Sequence, residues 1–178
     1  MNNASRILAL LDGYLDSSVE LTLYDRAALQ LGFSSPRPEF ASSLDVDGVL
    51  WAGQAEELAR GTDFWQAVTR VNRELAPRGL YISHFFEEAQ IILTPEWRQH
   101  RVAIPGSWRR LSLYRLGDGD LFLSKLMRYD PQDLDDARFI AERAGLSRED
   151  IRGWIERARV PDIPEIREQF QLCAGRFT

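Results

Sequence analysis

An α+β fold is predicted by this sequence: a mixed sheet flanked by helices, with a helical C-terminal part. Three observations carry that expectation. Short strand-like runs, Val19 to Tyr24 above all, interleave with helix-period segments through the first two thirds of the chain. Proline- and glycine-rich breakers separate them at 34–38, 77–79, 94–95 and 105–106. From residue 118 onward, apolar residues recur at helical spacing between capping signals. The expected organisation is an α/β core over 1–117 with a helical part, 118–178, packed on it.

Residues 4–16 read as an amphipathic helix, with Ile7, Leu8, Leu11 and Leu15 on one stripe. Val19 to Tyr24 alternates as a strand, and Asp25 to Leu31 reads as a short helix ended by Gly32, with Asp25 suited to its N-cap. The run Ser42 to Leu50 contains the next strand. Thr62 suits the N-cap of a helix over 63–76, where Phe64, Val68, Val71 and Leu75 give the apolar face. Strands are expected near 81–82, 90–93, 101–104 and 111–114. Helices are expected at about 118–128, 131–144, 148–158 and 163–174. Asp130-Pro131 places an N-cap before an N1 proline, and Ser147 with Asp150 is similar to a capping box.

Composition narrows the function classes. The chain has 178 residues, 44% hydrophobic and 28% charged, with a net charge of −5. That balance disfavours nonspecific attraction to a phosphate backbone, so DNA is not expected as a partner. The run Arg98, Arg101, Arg109, Arg110 and Arg115, with Trp97 and Trp108 inside it, reads as a solvated face more than an RNA surface. The single cysteine, Cys173, excludes an internal disulfide and a cysteine zinc site. No run approaches the roughly 18 apolar residues of a membrane span, and residues 1–5 lack a signal-peptide pattern. A cytoplasmic protein is expected. Twenty-one arginines accompany one lysine, Lys125.

Asp45-Val46-Asp47 is the most informative motif. Side chains two apart on a strand leave the same face, about 6.6 Å apart along it. Two acids so placed next to apolar strand residues need a cation, a hydrogen-bond network or water to take up their charge. Hard oxygen ligands at that spacing suit a divalent ion such as Mg²⁺.

The order strand, short helix, loop, Asp-x-Asp strand resembles nucleotidyltransferases of the polymerase-β type. The closer similarity is to small bacterial nucleotidyltransferase-like proteins, related to AbiE-type toxins and the minimal nucleotidyltransferases. Leu21 to Leu29 resembles their strand, small-residue turn and Ala-rich helix. Ser43-Leu44-Asp45-Val46-Asp47 resembles their Thr-x-Asp-x-Asp segment. Asp120 to Leu126 followed by Gln132 to Ala137 looks like their late helical signature. The resemblance implies Mg²⁺ on Asp45 and Asp47, phosphate contact by Lys125, and nucleotide contacts from Asp25, Arg26 and Asp133. It implies transfer of a nucleoside monophosphate from an NTP to a protein or RNA acceptor, in a toxin–antitoxin setting.

Two departures bear on that activity. Asp25 stands where the family has glycine, which lets backbone N–H groups approach phosphate. No clear third carboxylate follows: the strand expected at 89–93 offers Gln90, with Glu87 and Glu88 just before it. The alternative is a catalytically degenerate fold acting as an antitoxin-like partner protein. Lys125 also reads as a surface lysine on a helix whose apolar side is Leu121, Phe122 and Leu126. Asp133 also reads as a first-turn acid that favours the helix dipole, with Asp136 beside it on the same face.

Overall fold

A computed structural model describes residues 2–178 as an α+β chain. It divides into two compact units: residues 1–86 with 102–115, and residues 87–101 with 116–178. The segment 87–101, expected within the α/β core, thus groups with the C-terminal helices, and the chain passes between the units three times.

The first unit holds α1 (Asn3–Tyr14), β1 (Val19–Tyr24), α2 (Asp25–Gly32), β2 (Asp45–Leu50), α3 (Gln54–Gly61), α4 (Phe64–Leu75), β3 (Tyr81–Glu87), β4 (Val102–Ala103) and β5 (Leu111–Arg115). The five strands form one mixed sheet in the order β3-β2-β1-β5-β4. Strands β1 and β2 are antiparallel with Thr22 opposite Val49 and Tyr24 opposite Asp47. Strands β1 and β5 are parallel, and β4 runs antiparallel to β5.

The predicted apolar stripes form the core, except that Val68 of α4 is half-buried and Leu44, beside the two acids of β2, is exposed. Ile7, Leu8 and Leu11 of α1 and Phe64 and Val71 of α4 are buried with Leu21, Leu23, Val49 and Leu50 of the sheet. Each such side chain contributes roughly 1.5–3 kcal/mol through burial. Gly48 leaves room for Phe85: a Cβ there would lie 2.7 Å from the ring. Phe85 in turn meets Phe64 and Trp65 edge-on, at 5.2 and 5.8 Å between ring centroids. One polar group sits on the α1 stripe. Asp12 accepts the backbone N–H groups of Arg109, Arg110 and Leu111 at 2.7–2.8 Å, fixing the start of β5. Burial alone would raise its carboxyl; these three bonds outweigh burial and hold it below the ordinary value.

The second unit holds α5 (Trp97–His100), α6 (Asp118–Ser124), α7 (Pro131–Ala144), α8 (Arg148–Arg157) and α9 (Pro164–Ala174). Asp130 caps α7 by accepting from the backbone of Gln132 and Asp133, and Ser147 and Asp150 form the reciprocal box at α8. Asp120 is fully buried. Its Oδ1 accepts the N–H and hydroxyl of Thr94 at 2.7 and 2.9 Å, and its Oδ2 faces His100 Nδ1 at 3.1 Å. Trp154 lies edge-on to His100 and covers Gly119, where a Cβ would meet the indole at 2.1 Å.

Four local expectations are corrected. Residues 90–93 form no strand: a 3-10 turn, Glu88–Gln90, leads into Ile91, Ile92 and Leu93, all buried, with a single bridge from Leu93 to Arg159. Three consecutive buried residues need cover on both sides, which a helical unit supplies as well as a sheet. Helix α3 was not expected, because only Gln54 and Leu58 of it are buried and no apolar stripe forms. The helix expected to reach 128 stops at Ser124, where i→i+3 bonds from Lys125 and Leu126 tighten the last turn. Asp63 takes the cap position of α4, while Thr62 Oγ1 accepts the Phe64 N–H at 3.1 Å.

Candidate functional site

Strand β2 carries Asp45 and Asp47, and antiparallel pairing sets Asp47 opposite Tyr24, the residue before Asp25. The three acids therefore come from one end of the β1–β2 pair. Asp25 has φ 57°, the only positive φ of a non-glycine residue among those described. It is not the cap of α2. A cap needs extended backbone, and Tyr24 takes that position without a side-chain hydrogen bond. Asp25 instead adopts the left-handed turn conformation in which glycine is unstrained.

Asp47 is the buried member of the group. Its Oδ1 accepts the Ser83 hydroxyl and, at 3.2 Å, the His84 N–H, both from β3. Burial raises its carboxyl above the ordinary value; the Ser83 bond opposes this, the charges of Asp45 and Asp25 add to it, and the His84 bond opposes it again. Asp45 is half-buried, and its Oδ1 accepts the Ser43 hydroxyl at 3.1 Å. Among the described residues, Oδ2 of each acid accepts no hydrogen bond. His84 and Phe86 extend β3 beside the acids, with Tyr24 edge-on to Phe86 at 5.7 Å. The Arg26 guanidinium lies over the Phe40 ring, 5.6 Å from its centroid.

The third acid sought at the end of the next strand has another fate. The strand beside β2 is 81–87, and the side chains it brings to Asp47 are Ser83 and, at 3.8 Å, the His84 imidazole. Gln90 and Glu87 cap each other's backbone in the 3-10 turn, and Glu88 accepts from Trp97 Nε1. Trp97 is buried in the core of the second unit.

Lys125, expected as a phosphate contact or a surface lysine, is buried in the second unit, 2% exposed. Its Nζ lies 3.0 Å from Asp136 Oδ2 and 3.3 Å from Asp133 Oδ1. Arg128 reaches Asp133 Oδ2 at 2.7 Å, so two cations face two buried carboxylates. Asp133 thus serves an ion-pair network, with only its N–H engaged in the first turn of α7. Cys173 is buried nearby, its thiol pushed up to about 11 by burial and by Asp133.

Ser83 and the His84 N–H are what sequence reasoning missed in this site. The Pro77-Arg78-Gly79 breaker was the available signal, since it starts a strand at 81 and brings 83–84 level with β2. No protein-family model, no curated protein and no solved structure matches this chain.

Proposed function

We propose that the β1–β2–β3 end of the first unit is a nucleotidyltransferase-like site. It holds a divalent cation on Asp45 and Asp47 and an NTP at the Asp25 turn, for transfer of a nucleoside monophosphate to a protein or RNA acceptor. One observation carries the reading: Asp45 and Asp47 leave the same strand, each with one oxygen held by a neighbour and the other without a hydrogen bond, while burial and two like charges oppose ionisation of Asp47. Oxygen donors of that kind fit Mg²⁺. Bound there, it would supply charge neutralisation and polarisation of a phosphoryl oxygen. Ser43 orients Asp45, Ser83 and the His84 N–H orient Asp47, and the left-handed backbone at Asp25 keeps the turn that the family builds with glycine.

A second reading, a noncatalytic partner protein in a toxin–antitoxin setting, is favoured by two features of the same site. Asp25 sets a negative charge at the turn, and β3 brings Ser83 to Asp47. Titration with Mg²⁺ and labelled NTPs separates the two readings. The enzyme reading expects label in total RNA or cell protein, lost in Asp45→Asn. Absence of NTP binding at millimolar concentration rejects it in favour of the partner protein.

A further inference from the structure

We propose that the first unit carries a separate binding site for a small organic anion with a short apolar body, in the cleft between α1 and the end of α4. The cleft has a volume of about 410 Å³ and is lined by Arg6, Ala9, Leu10, Glu74, Leu75 and Arg78. That is the size of a small-molecule site. Its wall divides by chemistry. Ala9, Leu10 and Leu75 supply apolar surface, and Arg6 and Arg78 bring two guanidinium groups from different elements. Among the described residues, neither guanidinium has an ion-pair or hydrogen-bond partner.

Glu74 is the only acid of the lining, one negative charge against two positive ones, and a hydrogen bond fixes one of its oxygens. Its Oε2 accepts the Tyr14 hydroxyl, and Arg70 lies over the Tyr14 ring at 4.0 Å from the centroid. The cleft therefore presents more positive than negative charge over an apolar floor. Guanidinium groups bind carboxylate and phosphate oxygens through paired N–H donors. A carboxylate or phosphate monoester on a short hydrocarbon matches both parts of the wall. The site shares no residue with the Asp45–Asp47 site and stands independently of the function proposed there.

The test uses the full chain and methyl NMR of Leu10 and Leu75, with octanoate and phenyl phosphate as probes. The expected result is saturable shifts with either probe at or below about 1 mM, weakened about tenfold by Arg6→Gln or Arg78→Gln. The stronger of the two probes identifies the head group. Glu74→Gln should tighten binding, a gain that a folding defect cannot produce. Four results would overturn the proposal: no shifts at 10 mM probe, shifts unchanged in the double arginine variant, equal binding of neutral 1-octanol, or equal affinity for inorganic phosphate, which marks an adventitious ion only.

Discussion

Ser83 donates its hydroxyl to the same Asp47 oxygen that receives the His84 N–H, so β3 holds one side of the carboxylate, and among the described residues the other oxygen accepts no hydrogen bond. Burial and neighbouring acids raise the Asp47 carboxyl despite these bonds. The folded chain thus keeps a proton that the unfolded chain loses near 3.8. The resulting stabilisation is complete below that pH and is lost as pH rises through the folded value. Asp47→Asn should flatten this fall and unfold at higher urea than the wild type at pH 7. Urea denaturation of both chains from pH 3 to 7 measures it, and a wild-type stability that does not fall relative to Asp47→Asn as pH rises would refute it.

Ser83→Ala should push the Asp47 carboxyl higher still and, at pH 7, cost about 1.5–3 kcal/mol for the lost charge-assisted bond. Millimolar Mg²⁺ should shift the Asp47 titration the opposite way. Carboxyl carbon NMR follows both. An Asp47 titration indifferent to Mg²⁺ would count against cation binding at this pair.

Asp25 permits a comparison of backbone strain with charge. In the left-handed conformation, Asp25→Gly removes roughly 1 kcal/mol of steric strain, set against roughly 0.5–1 kcal/mol of added unfolded-state entropy. Stability should therefore change by less than about 0.5 kcal/mol, whereas Asp25→Val, β-branched at positive φ, should cost more than about 1 kcal/mol. Both variants should lower the Asp47 carboxyl, since both remove a like charge from its surroundings. Only Asp25→Gly should raise NTP affinity if the turn binds phosphate.

Asp12 works in the reverse sense. Three backbone N–H bonds hold its carboxyl down against burial, so its stabilisation is present above the ordinary value of 3.8 and is lost as pH falls through the folded one. Asp12→Ala should cost about 3 kcal/mol at pH 7, with much less difference from the wild type in strong acid. Chemical denaturation at the two pH values tests it.

Lys125 balances Asp133 and Asp136 inside the second unit. Lys125→Met should leave those carboxylates undercompensated and cost about 3–5 kcal/mol. Adding Asp136→Leu should recover much of that loss. Thermal melts of the single and double variants provide the measurement; an undiminished single variant would show that the ion pairs carry no weight.

Elements with a strong period and a capping signal were legible in the sequence. Strand β1, helix α1 and the caps at Asp130 and Ser147 stand where periodicity and cap chemistry put them. Helix α3 was not legible, because it buries two residues and shows no stripe. The acids at 45 and 47 were visible from their spacing, but their partners were not. Ser83 lies 36 residues from Asp47, and the amides that hold Asp12 lie 97–99 residues away. Such pairings are decided by sheet order and helix docking, which local pattern does not encode. Asp12 did leave a trace, as a lone carboxylate on the stripe of Leu8, Leu11 and Leu15. Lys125 left none, since a buried lysine and a surface lysine look alike on a helix of that pattern.

The interleaving of the two units constrains how the chain is made. During synthesis, residues 87–101 leave the ribosome before any of the segment 116–178 with which they group, so Ile91, Ile92 and Trp97 must wait uncovered for their neighbours. Conversely, β5 is the last strand to arrive, after that waiting stretch has already been spun out. A fragment cut near residue 117 would carry those greasy side chains with nothing to shelter them. Truncation should therefore yield an aggregating product.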